Sequence, residues 1–120
     1  MPRRPADPTY LEYVLDQLSR VPGVEARAMF GGHGLYAGEA FFAIVHRGRL
    51  FFRVDDASRG DFEARGMAPF RPGAKQTLKR YYEVPPDVVE DDAVLARWAR
   101  RAARTTGRAV SAATRRRGRG

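Results

Sequence analysis

The residues Gly31-Gly32-His33-Gly34 are the first place in this chain where chemistry is conceivable, because clustered glycines let backbone N–H groups approach an anion. A phosphate loop, however, opens a helix and carries a Lys-Ser or Lys-Thr pair. Here Leu35-Tyr36 and then Phe41 to Val45 continue in strand-like sequence, so the run reads as a turn or bulge in which glycine supplies the backbone freedom. His33 and His46 are the only histidines, and neither has a carboxylate or second histidine at the spacing of a metal or acid–base site. Each reads as a polar turn position. Ser58 lacks the partners of a nucleophile and reads as a helix cap. Asp55-Asp56 lacks the further oxygen ligands that a cation needs and reads as a solvated helix entry. No catalytic residue, cofactor or metal is expected, and the chain is read as a non-enzyme.

Positive charge is the other candidate. The formal charge of +8 is unevenly spread: residues 93–120 hold nine arginines and no acid, while the chain up to residue 92 is close to neutral. Within the C-terminal stretch, Arg108, Arg115, Arg116, Arg117 and Arg119 are candidates for neutralising phosphates of DNA or RNA without reading sequence. A smaller cluster, Arg71, Lys75, Lys79 and Arg80 beside Tyr81 and Tyr82, is a candidate surface for an acidic partner. Arg47-Gly48-Arg49-Leu50-Phe51-Phe52 is faintly similar to an RNA-recognition strand, but Arg49, Leu50 and Val54 break the pattern of exposed aromatics that stack bases. Its phenylalanines read as sheet core.

The elements that must position these groups follow from periodicity. Leu11, Val14, Leu15 and Leu18 predict a helix from Pro8 to about Arg20, stopped by Val21-Pro22-Gly23. Strand-like pieces follow at 24–30, 34–36, 40–45 and 50–54, with Leu50, Phe52 and Val54 alternating against Phe51 and Arg53. A short helix is expected over Arg59 to Arg65 with Ser58 as its cap, then strands at 67–70 and 77–84 around a polar loop. Asp91 or Asp92 caps a last helix whose stripe is Val94, Leu95, Trp98, Ala99 and Ala102. The fold class is α+β: a two-layer sandwich in the order α-β(3)-α-β(2)-α, an antiparallel sheet with helices on one face. With 43% hydrophobic residues and no cysteine, the core must rest on apolar burial rather than disulfides. The expected organisation is a disordered start over 1–6, a folded domain over 7–106 and a disordered arginine-rich tail over 107–120. The longest apolar run, Ala40 to Val45, falls far short of the roughly 20 residues that cross a bilayer as a helix. No signal-peptide pattern opens the sequence, so no membrane is expected and the location expected is cytoplasmic.

The octet Met29-Phe30-Gly31-Gly32-His33-Gly34-Leu35-Tyr36 carries a family resemblance, with Met29, Phe30, Gly31, Gly32, Gly34 and Tyr36 as its motif. Leu50-Phe51-Phe52-Arg53-Val54-Asp55, Asp61-Phe62, Pro69-Phe70, Tyr81-Tyr82-Glu83-Val84-Pro85 and Trp98-Ala99-Arg100-Arg101-Ala102 follow in order. The chain resembles the N-terminal domain of the TfoX/Sxy family of bacterial competence regulators over about Tyr10 to Arg104. That resemblance implies a secretion-chaperone-like α+β fold, no catalytic residues, and a role in transcriptional regulation of DNA uptake through a protein partner of the transcription machinery. The motif residues are expected to be structural. Longer family members carry a second, helical domain, and work that needs it is not expected of this stretch alone. DNA or RNA binding through the tail is the alternative.

Overall fold

The computed structural model describes residues 8–29 and 31–107. Helix α1 (Pro8–Gln17) leads into four strands, β1 (Val24–Met29), β2 (Gly32–Ala37), β3 (Ala40–His46) and β4 (Arg49–Arg53). Helix α2 (Asp56–Glu63), strands β5 (Pro69–Gly73) and β6 (Gln76–Glu83), and helices α3 (Pro86–Val89) and α4 (Asp92–Arg104) complete the order. All six strands form one antiparallel sheet in the order β1-β2-β3-β4-β6-β5. The α+β sandwich expected from periodicity is present. Four strands rather than three precede α2, because the piece read as Gly34 to Tyr36 is the middle of a full strand.

The four helices cover one face of the sheet. Val14 of α1 with Leu18 just after it, Phe62 of α2, Val88 and Val89 of α3, and Leu95, Ala96, Ala99, Ala102 and Ala103 of α4 share one core with Leu35, Phe42, Val45, Leu50, Phe52 and Tyr82 of the sheet and with Val54 and Val84, which directly follow β4 and β6. The alternation of Leu50, Phe52 and Val54 is what sends them to this face. Alanines on α4 let that helix lie close over β3 and β4. Burying residues of this size contributes about 1.5–3 kcal/mol for each large side chain, which is why a cysteine-free chain can hold together.

Helix ends follow local chemistry. Asp55, not Ser58, is the cap of α2: its carboxylate accepts from the Ser58 N–H at 2.8 Å, and the Ser58 hydroxyl accepts from the Asp55 N–H at 3.0 Å. The reciprocal box starts the helix three residues before the predicted Arg59, with Ser58 inside it and buried. The Ser58 N–H and hydroxyl hold the Asp55 carboxyl below its usual range. A carboxyl depressed in the folded state stabilises above its unfolded value of about 3.9 and loses that contribution as pH falls through the folded value. In urea denaturation at stepped pH, Asp55→Asn should therefore lose part of the wild-type acid sensitivity while keeping the cap.

Asp91 caps α4 by accepting from the Val94 N–H, and Gly107, with φ +72°, follows its end at Arg104. Trp98 is half-buried rather than a fully buried anchor. It sits edge-on to Phe62 with ring centroids 4.9 Å apart, between the guanidiniums of Arg65 and Arg101, and so pins α4 to α2. No helix among the described residues is long and apolar enough to cross a membrane.

Candidate functional site

The face of the sheet without helices is not a bare solvated surface. Ile44, Phe51, Phe70 and Tyr81 form a second buried cluster there, flanked by Phe41 and Leu78. Phe70 lies on the edge strand β5, three steps from β3. At about 4.8 Å per step a flat sheet would hold it some 14 Å from that strand. Yet its ring centroid is 4.7 Å from that of Phe51 on β4 and 5.1 Å from that of His46 on β3. The β5–β6 edge must therefore curl back over the sheet. Register shifts on both sides of Phe70 supply the bend, since bulges increase local twist. The same irregularity breaks the alternation expected along β6: Leu78 joins the cluster of Tyr81 rather than the face of Tyr82.

Curling creates a cleft of about 660 Å³ between β5 and the β3–β4 turn, floored by Phe51 and Phe70 and rimmed by His46, Arg47, Arg49 and Arg71. Three guanidiniums face one carboxylate, Glu83, which lies 3.5 Å from Arg49. An exposed pair at that distance holds little energy, so Arg49 remains free to exchange partners. Arg47 has φ +52°, the only positive value outside glycine among the described residues, and Gly48 follows at +72°. Two consecutive positive φ values fit the primed two-residue turns of hairpins, which favour Asn-Gly. An arginine here costs about 1 kcal/mol of left-handed strain. Strain of this kind at the rim of a cleft is a pointer to function.

The family-motif residues are placed structurally. Gly31 turns the β1–β2 hairpin with φ +76°, and a Cβ on Gly32 would collide with the Val45 carbonyl oxygen. A Cβ on Gly34 would meet Met29 Sδ at 2.6 Å and the Phe41 ring at 2.9 Å. Tyr36 stacks on Phe41 with centroids 5.0 Å apart, under the Arg27 guanidinium at 4.4 Å, and the Tyr81 hydroxyl donates to the Phe41 carbonyl at 3.0 Å. Burial pushes the Tyr81 phenol up, against the opposing pull of Arg53. Neither histidine is a turn residue: His33 lies in β2 opposite Val45, and His46 ends β3 against Phe70.

Of the predicted basic cluster, Arg71 enters the cleft, while Lys75 sits in the β5–β6 turn and Lys79 and Arg80 lie exposed on β6. Arg47 lies in the β3–β4 turn and Arg49 opens β4, and the curl of β5 brings them to Arg71. Phe51 is 6% exposed and Phe70 1%, as sheet core rather than a stacking platform. Phe30 and the tail candidates Arg108, Arg115, Arg116, Arg117 and Arg119 lie outside the described residues, as do the start over 1–6 and the tail beyond Gly107. Against known families, residues 16–106 match the TfoX N-terminal domain, a stretch reaching from α1 past the end of α4. No curated protein matches the chain.

Proposed function

The chain belongs to the TfoX N-terminal domain family, and from that membership we propose that it is a non-enzymatic regulatory module, acting in transcriptional control of DNA uptake by holding an acidic segment of a partner protein. The observation that carries this reading is the arginine-rimmed cleft. Arg47, Arg49 and Arg71 surround a hollow large enough for several side chains, and guanidiniums form paired, charge-assisted hydrogen bonds with carboxylates. Buried Phe51 and Phe70 rings offer no exposed face on which a base could stack, which favours a carboxylate-bearing peptide over single-stranded nucleic acid. Pro69 and Pro72 remove backbone donors from β5, so the segment docks by its side chains rather than as an added strand.

The test is the affinity of the full chain for a short peptide of alternating Glu and Gly. Arg49→Glu and Arg71→Glu should each weaken binding about tenfold, the size of one lost charge-assisted contact. Arg47→Asn should also weaken it while raising stability by about 0.5–1 kcal/mol, because asparagine tolerates the left-handed turn. Binding unaffected by all three substitutions, or catalytic turnover lost on a single one, would overturn the reading. DNA binding that disappears when the chain is cut after Gly107 would instead favour the tail as the functional element.

A further inference from the structure

We propose that two copies of this chain pair edge to edge through β1 in a single antiparallel register centred on Ala26. This concerns the edge of the sheet opposite the cleft and stands independently of the acidic partner. β1 is an outer strand of six residues without proline, so one row of its backbone N–H and C=O groups lies beyond the β1–β2 ladder. Which row follows from the hairpin. Met29 and Gly32 flank a two-residue turn, and the pair closing such a turn exchanges both hydrogen bonds. Alternation then directs the backbone groups of Glu25, Arg27 and Met29 toward β2, and those of Val24, Ala26 and Ala28 outward.

A second β1 bonded to that row must set outward residues against outward residues. The registers that keep the overlap long, pairing five of the six residues, are those centred on Ala26 and on Arg27; the second places two Arg27 guanidiniums directly opposite, which is repulsive. Centring on Ala26 sets each Glu25 against Arg27 of the other copy, twice by the two-fold symmetry, on the helix-free face. Charges on an edge strand normally discourage pairing, but this pair is self-complementary in one register and so selects it. Both residues are exposed, and Glu25 stands in no ion pair among the described residues. Arg27 rests its guanidinium over Tyr36 at 4.4 Å, a contact to the ring face that leaves its edge N–H groups available. At the axis Ala26 meets Ala26, small enough for close approach, and Val24 faces Ala28. The product is one continuous sheet with a cleft at each far end.

Sedimentation velocity on the full chain across a concentration series tests this. The expected result is a concentration-dependent dimer that Glu25→Arg or Arg27→Glu weakens about tenfold, as two attractive cross-strand pairs become repulsive. The double reversal, Glu25→Arg with Arg27→Glu, should restore it. Ala26→Pro should abolish it while circular dichroism stays native, because the lost N–H belongs to the outward row. A chain monomeric at every concentration, a dimer indifferent to the single reversals, or one that the double reversal fails to restore would overturn the proposal.

Discussion

Gly32→Ala is expected to destabilise the protein by about 3 kcal/mol, at the upper end of what one added methyl group costs in a packed interior. The added Cβ would fall on the carbonyl oxygen of Val45, a backbone atom of the adjoining strand, so no side-chain rotation relieves it. β2 must then move away from β3, against ladder bonds on both of its sides. Neighbouring glycines provide the comparison. Gly31→Ala meets no atom but forces alanine to φ +76°, at about 1–2 kcal/mol. Gly34→Ala meets Met29 Sδ and the Phe41 ring, both ends of side chains that can yield. Urea denaturation of the three variants should rank Gly32→Ala as the most costly. A larger loss at Gly31 would mean that the turn, rather than the close approach of β2 to β3, explains the glycine run.

Phe70→Ala should cost about 3–5 kcal/mol, as for other fully buried rings, and should remove binding of an acidic segment at the same time. Phe70 is the residue by which the curled edge holds on to the rest of the sheet, through Phe51 and His46. Without its ring, β5 has no reason to fold over the helix-free face, and Arg71 leaves Arg47 and Arg49. Phe70→Leu restores apolar volume and should recover most of both losses. Denaturation and peptide affinity measured on the same variants separate this coupling from simple unfolding. A folded Phe70→Ala protein that still binds at wild-type strength would show that β5 is positioned by other contacts.

Much of the helical layer was legible in the sequence because its determinants are local. The stripe of Val14 and Leu18, the alternation of Leu50, Phe52 and Val54, and the cap at Asp91 are each set by neighbours a few residues away. Reading Ser58 as the cap of α2 failed for a local reason too: Asp55 and Ser58 cap reciprocally, and the carboxylate takes the N-cap position. Half-buried Trp98 departs from its expected depth because it packs at the margin of the main core, edge-on to Phe62 and with two guanidiniums over its ring.

The cleft was illegible for a different reason. A charge map along the chain assigns Arg47, Arg49 and Arg71 to a nearly neutral stretch, since acids elsewhere in the sequence cancel them. In space those acids lie apart from the cleft, except Glu83. What gathers the arginines is the bend at Phe70, and register shifts leave no periodic mark in a five-residue strand. One signal was available. Arg47-Gly48 stands where a hairpin turn prefers Asn-Gly, so an arginine in the left-handed conformation there is a departure that turn chemistry alone does not explain.

Amide chemical-shift mapping on the isotope-labelled full chain, titrated with the Glu-Gly peptide at moderate salt, bears most directly on the proposed function. The account predicts saturable shifts centred on His46, Arg47, Arg49, Phe70 and Arg71, and loss of those shifts in Arg71→Glu. Shifts confined to the arginines after Gly107, with the cleft amides unmoved, would contradict it.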